Sequence, residues 1–390
     1  MRVIHSLTGH RGPINCISFA EDGSCVASGG TFFHLGQFSC DSRQNSGDDG
    51  KIILWSLDDG TLLQHINARQ GPVVSLQWLH HSDNVRRKYL ISGGAAGTVH
   101  LWRIEDEMLA SDVFCTKTVF DGAVQDICID QEHRLVSVTG LGRVVLYKLA
   151  LDGPDILQLL SAHPPMLEQS LPALAITSHF YDGGKGVIIC YLDSKEVITW
   201  NVTPWSRRWR QQLLTRIGST AHHDATCRMA VWNLRDGIDL YQISDNPTGQ
   251  LTFVRKFRVR IRRNLIASMQ FDIEGKRLFS GGDNGEVCIW DVETGLVAQV
   301  LSHGRELSAV QAIAYHISQS SKALIASGSS DERDAHPCLK IWSSSKPPPS
   351  EPRPSRSRSC HLSLAASGVV MAISITVIAA GAFVAGLSFA

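Results

Sequence analysis

The sequence lacks several short motifs that mark well-known enzyme families. It has no G-x-x-x-x-G-K-[ST] phosphate loop, no G-x-S-x-G nucleophile elbow, no H-E-x-x-H zinc pair and no dinucleotide-binding fingerprint. It also has no excess of either charge, because 37 Lys and Arg residues balance 37 Asp and Glu residues. We therefore expect no catalytic activity, no cofactor, no metal and no nucleic-acid partner.

Paired cysteine motifs are missing as well. The 10 cysteines are scattered without a C-x-x-C pair, mostly at positions such as Cys16, Cys128 and Cys288 within apolar segments. This pattern favours buried thiols in a reducing compartment over a disulfide framework. No secretory signal peptide is visible, because polar sequence follows Met1-Arg2 almost at once.

Two clusters that resemble functional motifs have simpler explanations. Gly183-Gly184-Lys185-Gly186 is typical of a hairpin turn between two strands. His222-His223-Asp224 contains potential metal ligands, but adjacent side chains on an extended segment point to opposite faces. We interpret both clusters as turns.

The chain does contain a repeat, which occurs seven times. Each unit has an apolar strand, a second strand with small residues, and a third strand that ends in an aromatic residue. The closing aromatics are Trp55, Trp102, Tyr147, Trp200, Tyr241, Trp290 and Trp342, with spacings of 47, 45, 53, 41, 49 and 52 residues. This period is typical of four-stranded propeller blades, which repeat every roughly 40–45 residues. The sequence thus predicts an all-β, seven-bladed β-propeller over residues 1–345.

These units resemble the WD-repeat (WD40) β-propeller family. Gly9-His10 opens the first unit, Asp49-Gly50 precedes Trp55, and Trp290-Asp291 is the dipeptide that names the family. Six residues before the closing aromatic the family usually has Asp, which only the first unit retains. The resemblance implies a His-Ser-Asp-Trp hydrogen-bond network, which we expect to be complete at most once. It also implies that an N-terminal strand (Arg2 to Leu7) completes the last blade.

First strands of the units are predicted from runs of β-branched and aromatic residues. They are expected at Ile14 to Phe19, Val73 to Leu79, Val124 to Asp130, Ala173 to Phe180, Leu265 to Asp272 and Ala309 to His316.

The C-terminal run is the one long hydrophobic segment. Leu362 to Ala390 comprises 29 residues without a charge, enough for a helix to cross a hydrocarbon core of roughly 30 Å. The preceding residues 346–361 form a Pro/Ser/Arg-rich linker with a net charge of +3, from four basic residues and Glu351. By the positive-inside rule this linker stays in the cytosol. We therefore predict a single-pass tail anchor with the propeller in the cytosol, in the endoplasmic reticulum rather than the mitochondrial outer membrane.

Two basic stretches are candidate binding sites for an acidic partner or an anionic lipid surface. In the first, Trp205 to Arg210, the cations are Arg207, Arg208 and Arg210. In the second, Arg255 to Arg263, Arg258, Arg260 and Arg262 alternate with apolar residues and Arg263 follows. A strand here would present a ladder of cations on one face, and neighbouring blades would join both stretches into one surface. The alternative interpretation is an outer strand that its charges keep soluble and unpaired.

An insertion from Thr31 to Asp48 in the first unit carries Phe32 and Phe33, which we regard as candidate partner-binding residues. In plan, the chain is similar to membrane-anchored propellers that act as exchange factors for the small GTPase that initiates coat assembly, and these also have a functional first-blade loop. Two functions therefore remain open: a membrane-tethered, cytosol-facing protein-interaction scaffold without catalytic activity, and a small-GTPase exchange factor or regulator.

Overall fold

The computed structural model describes residues 1–31, 50–79, 87–105, 110–151, 153, 155–162, 174–244, 250–263, 265–305, 308–318, 321–330 and 337–344. In these residues the chain forms seven four-stranded antiparallel sheets. They lie within the first compact unit of the chain, Met1–Ser345. The all-β, seven-bladed propeller expected from the repeats is confirmed.

The blades follow one another along the chain, and each is numbered here by its order. Blade one contains β2 (Ile14–Phe19), β3 (Cys25–Gly30), β4 (Lys51–Ser56) and β5 (Leu62–Asn67). Blade two contains β6 (Val73–Leu79), β7 (Arg87–Gly94), β8 (Thr98–Glu105) and β9 (Ala110–Thr118). Blade three contains β10 (Val124–Asp130), β11 (Leu135–Gly140), β12 (Arg143–Leu149) and β13 (Leu157–Ala162).

The second half of the ring repeats this arrangement. Blade four contains β14 (Ala175–Tyr181), β15 (Gly186–Tyr191), β16 (Glu196–Asn201) and β17 (Ser206–Gln212). Blade five contains β18 (Ser219–His223), β19 (Arg228–Trp232), β20 (Gly237–Ile243) and β21 (Leu251–Arg258), with a short 3-10 helix (Asp224–Thr226) after β18. Blade six contains β22 (Met269–Phe271), β23 (Arg277–Ser280), β24 (Glu286–Asp291) and β25 (Val297–Ser302). Blade seven contains β26 (Val310–Ile317), β27 (Ala323–Ser329) and β28 (Cys338–Ser343).

The last blade is completed by the start of the chain. Strand β1 (Arg2–Thr8) pairs antiparallel with β28, so that Val3 lies opposite Trp342 and Leu7 opposite Leu339. The expected ring closure is thus present. It covers an edge that β28 would otherwise expose.

The core lies between the blades. Seven apolar clusters are found among the described residues, and each joins two neighbouring blades. The cluster between blades seven and one, for example, contains Leu7, Trp55 and Ile341. Alternation along each strand makes this possible, since both faces of an inner blade are buried against neighbours.

The aromatic that closes a blade is anchored by a serine in four of the seven blades. The indole Nε1 atoms of Trp55, Trp102, Trp290 and Trp342 donate to the hydroxyls of Ser28, Ser92, Ser280 and Ser327 at 2.8–3.0 Å. A third group contacts the same hydroxyl in three of these blades. It is His10 in blade one, Gln70 in blade two and His303 in blade seven. The fourth member expected in blade one, Asp49, lies outside the described residues.

Blades three to five replace this polar link with apolar packing. The position of the serine is occupied by Val138, Ile189 and Val231. As a result the Nε1 atom of Trp200 is buried without a hydrogen-bond partner. The ring therefore contains two kinds of blade.

One predicted strand is wrong in its extent. The first strand of blade six spans Met269–Phe271 rather than Leu265 to Asp272. Within the predicted range, the N–H of Leu265 donates to the Arg263 carbonyl and that of Ser268 donates to the Gln311 carbonyl, so these N–H groups do not join the blade-six ladder.

Three further predictions concern the cysteines, the Gly183-Gly184 turn and the membrane-spanning helix. The eight cysteines in the described residues are free thiols, and Gly183 and Gly184 form the turn between β14 and β15. No helix in the described part of the chain has the length and apolarity needed to cross a bilayer. Residues 362–390 lie outside that part, so the tail anchor stays a prediction.

Candidate interaction surfaces

The first basic stretch lies at the start of β17, the outer strand of blade four. Arg208 forms an ion pair with Asp182 at 2.9 Å and lies over the Tyr181 ring, with 5.0 Å to the ring centroid. Arg210 forms an ion pair with Glu196. Two of the three predicted cations are thus neutralised within their own blade, which agrees with the structural interpretation of this stretch.

Arg207 differs from its neighbours. It is exposed, and no carboxylate among the described residues forms an ion pair with it. Its position opposite Trp200 places it beside the hairpin between β16 and β17.

The second basic stretch is not a continuous strand. Strand β21 ends at Arg258, and Arg260, Arg262 and Arg263 lie in the connection to blade six. Pairing ends here because the partner strand β20 begins at Gly237, opposite Arg258, and the N–H of Val259 bonds the turn carbonyl of Asp236. The predicted ladder on a single strand is therefore wrong, although the alternation persists: Phe257 is fully buried, whereas Arg258 and Arg260 are exposed.

The two stretches do not form one surface. Arg207 lies at the hairpin end of blade four, between its third and fourth strands. Arg258 pairs with Gly237 at the opposite end of blade five, where the turn between its second and third strands lies. We conclude that any anion-binding patch consists of the second stretch alone. Phe32 and Phe33, the other candidates, lie outside the described residues.

Blade six presents an apolar outer strand. Leu296, Val297 and Val300 are 69%, 46% and 46% exposed. The backbone amine of Met1 donates to Gln299 on the same strand at 2.7 Å, so the start of the chain lies against it. Contiguous exposed apolar residues on a soluble domain indicate an interaction surface. We call Leu296, Val297 and Val300 the blade-six rim.

The centre of the ring is a channel with a volume of about 870 Å³. Each innermost strand contributes one residue at an equivalent level of the channel. This residue lies opposite the position that immediately follows the serine, or the residue that replaces it, in the second strand of the same blade. These residues are Cys16, Ser75, Asp126, Thr177, Ser219, Ser268 and Ala312. Six of them are small or uncharged, and Asp126 alone carries a charge.

Side chains at this level also tie neighbouring blades together. The hydroxyl of Ser75 accepts the N–H of Ile127 at 3.1 Å, and that of Ser268 accepts the N–H of Ile313 at 2.7 Å. Asp126 Oδ2 makes the same bond to the N–H of Ser178, at 3.3 Å. A serine hydroxyl is therefore sufficient for this inter-blade hydrogen bond, and the bond does not require the charge of the Asp126 carboxylate.

Electrostatics around Asp126 are unusual for a carboxylate. Burial raises the pKa of Asp126 to about 6, although hydrogen bonds from backbone N–H groups act in the opposite direction and lower it. Burial also lowers the pKa of His179 to about 3 and of His222 to about 4, so both rings are neutral near pH 7. Among the described residues the channel lining contains Glu21, Asp126 and Asp272 but no Lys or Arg.

The histidines near the channel are occupied with structural contacts. His179 Nε2 lies 2.7 Å from the hydroxyl of Thr220, and its ring packs on His222. His223 packs against Phe271 of blade six. The turn interpretation is wrong for both histidines, because they lie on β18 and only Asp224 belongs to the 3-10 helix that follows. No group of three metal-ligating side chains occurs in the described part of the chain.

Sequence reasoning missed Asp126. The residue carries no motif, and its significance appears only when the first strands of all seven repeats are aligned at the channel level. That alignment was accessible in principle, since Ser75, Asp126 and Ala312 each lie two residues after the first residue of a regular strand.

Comparisons with known proteins agree with the fold. Residues 1–56 and 256–291 match the model of the WD domain, G-beta repeat. Across 121 residues the chain is 27% identical to the small ribosomal subunit protein RACK1 of Medicago sativa, an alignment that covers 31% of this chain and 30% of that protein. The chain thus spans less than a third of this curated relative.

A solved structure shows the same architecture over most of the chain. It is the β-propeller domain of Cps50 (Swd1) from Myceliophteria thermophila, with a TM-score of 0.64 and 14% sequence identity. The match covers 87% of this chain and 98% of that one. Two segments of the chain thus match the WD-repeat model, and the solved structure shows the β-propeller fold.

Proposed function

We propose that this protein is a membrane-tethered, cytosol-facing scaffold that binds other proteins through its propeller and has no catalytic activity of its own. The blade-six rim is the observation that carries the proposal. Large apolar side chains on an outer strand are costly to expose and favour association unless a partner covers them.

The tether is supported by the sequence. Residues 362–390 carry no charge, and such a run inserts into a bilayer as a helix.

The proposal is tested by proximity labelling from the full-length protein in its own cells. The variant Leu296→Ser/Val297→Thr/Val300→Thr removes the apolar character of the rim and keeps β-branched residues in the strand. Leu214→Ser is the control, since this side chain is 93% exposed but stands alone, outside the strands and away from other exposed apolar residues in sequence. We expect the first variant to lose labelled partners that the control retains.

Two results would contradict the scaffold proposal. One is an unchanged set of labelled proteins in the blade-six variant. The other is catalytic: purified protein that accelerates nucleotide release from a panel of small GTPases would favour the exchange-factor alternative.

A further inference from the structure

A small pocket at one end of blade one is lined by basic side chains. It lies between the connection that precedes β2, the end of β3 at Gly30 and the start of β4 at Lys51, and its volume is about 270 Å³. Its basic residues are His10, Arg11, Lys51 and His65, and no Asp or Glu lines it among the described residues. Two permanent cations, Arg11 and Lys51, repel each other in such a pocket unless an anion compensates their charge.

The cations of this pocket are not neutralised within the described part of the fold. Arg11, Lys51 and His65 form no ion pair with a carboxylate in that part of the chain. The pKa of His10 falls to about 4, first because of burial and then because of the charges of His65 and Lys51. Both groups therefore lie close enough to the His10 ring to disfavour a further positive charge there.

The corresponding place is closed in two other blades. The residue four positions before the closing tryptophan is Thr98 in blade two, and the Gln70 side-chain amide donates to its carbonyl at 2.9 Å. In blade seven it is a cysteine, whose Sγ lies 3.7 Å from His303 Nε2. In blade one it is Lys51, which makes no such bond, and His10 Nδ1 has no hydrogen-bond partner among the described residues. Of these three blades, blade one leaves the place open to a ligand.

We propose that this pocket binds the phosphate group of a phosphorylated serine or threonine side chain on a partner protein, an inference that rests on the interaction function proposed above. A phosphate monoester carries a charge of about −1.5 to −2 at pH 7 and three strong acceptor oxygens. These oxygens suit the guanidinium fork of Arg11 and the ammonium group of Lys51. Drug-sized ligands fill pockets of about 300–1,000 Å³, so a pocket of about 270 Å³ suits a phosphate group better than a whole nucleotide. The site is distinct from the blade-six rim.

The test is calorimetric titration of the full chain in detergent micelles. The probes are three blocked peptides, acetyl-Gly-Ala-Xaa-Ala-Gly-amide, in which Xaa is phosphoserine, glutamate or serine. We expect the phosphoserine peptide to bind at least about ten-fold more tightly than the glutamate peptide, because its charge is up to twice as large and it has a third acceptor oxygen. Inorganic phosphate should compete with the phosphoserine peptide, and the serine peptide should not bind.

Three variants make the result specific. Arg11→Gln/Lys51→Gln removes both cations and should abolish the preference for phosphoserine. Lys51→Thr copies Thr98 of blade two, keeps a residue suited to a strand and should weaken phosphoserine binding even if the double variant does not fold. Arg235→Gln is the control, since it removes an exposed cation from the turn before β20 in blade five and should leave binding unchanged.

The inference is wrong if the folded protein does not bind the phosphoserine peptide, binds the glutamate peptide as tightly, or keeps its preference in Arg11→Gln/Lys51→Gln. It is also wrong if phosphate binds only to Asp48→Asn/Asp49→Asn. These two acidic residues precede Gly50 in the sequence, outside the described residues, and would then be the anions that the pocket holds.

Two further outcomes separate the possible causes. If inositol 4-phosphate, which also has one phosphate monoester, binds more tightly than the phosphoserine peptide, the pocket takes a lipid headgroup and the assignment to a partner protein is wrong. If labelled partners disappear in the blade-six variant while no peptide binds, the scaffold function stands and the phosphate pocket falls.

Discussion

The strand that closes the ring provides the sharpest stability test. Leu7 and Ile4 lie on the same strand, but Leu7 is 5% exposed within the cluster between blades seven and one, whereas Ile4 is 38% exposed. Leu7→Ala should cost about 3 kcal/mol, within the range of 2–5 kcal/mol for a buried leucine. Ile4→Ala should cost less than about 1 kcal/mol, since much of its surface is already in water.

The expected melting shift is small but measurable. Unfolding entropy of about 2.1 cal/mol/K per residue gives roughly 0.7 kcal/mol/K for a ring of ~345 residues. A loss of about 3 kcal/mol therefore lowers Tm by roughly 4 °C. Differential scanning calorimetry of the full chain in detergent measures this. Equal shifts for Leu7→Ala and Ile4→Ala would show that β1 is not docked and that the ring closes in another way.

Further predictions address hydrogen bonds, pH, charge and the anchor. Ser280→Ala leaves the buried indole N–H of Trp290 without an acceptor and should lower the free energy of unfolding by about 1–3 kcal/mol in urea titrations; an unchanged midpoint would mean that this bond is not formed. Burial lowers the pKa of His10 to about 4, against 6.5 in the unfolded chain. On acidification the unfolded chain therefore binds the proton first. The contribution of neutral His10 to the free energy of unfolding is complete above pH 6.5 and declines toward pH 4. His10→Gln, which copies Gln70 of blade two, should remove up to about 1.4 kcal/mol per pH unit of that decline, and urea midpoints that depend on pH as in wild type would refute the assignment. The double variant Arg258→Ser/Arg260→Ser should weaken flotation with anionic liposomes in a salt-sensitive way. The control Arg207→Ser, at the opposite end of its blade, should not. Equal flotation of wild type and both variants would mean that these cations are only solvated surface residues. Deleting residues 362–390 should release a folded propeller to the soluble fraction, and a carbonate-resistant membrane fraction of that protein would contradict the tail anchor.

The fold was predictable because its signal is repeated. Seven closing aromatics set the number of blades, and alternation within each strand set the buried faces. Three first strands, beginning at Ile14, Val73 and Val124, agree with the structure at both ends. Local pattern failed at Leu265, because the N–H of Leu265 donates to the Arg263 carbonyl and that of Ser268 donates to the Gln311 carbonyl of blade seven, rather than to a strand of blade six.

The candidate sites were less predictable, for a different reason. Charge in the sequence does not show which cations are already paired: Arg208 and Arg207 are adjacent, yet Asp182 neutralises only the former. Whether a residue lies in a channel depends on how seven separate strands come together around one axis. Asp126 has no unusual neighbours in sequence and becomes distinctive only beside Ser75 and Ser268, which are 51 and 142 residues away in the chain.

Closure by β1 also determines when the ring can form. Arg2 pairs with Ser343, so the first strand made has to wait for 341 further residues before its partner exists. Contacts of such separation are slow to form, because a long loop must close before any pairing compensates its entropy. During synthesis, at roughly 5–20 residues per second, blades one to six can complete themselves while β1 stays unpaired for tens of seconds. Blade seven is then assembled last from both ends of the chain, which makes it the place where a nascent ring is open to chaperones, to a second copy's β1, or to proteolysis.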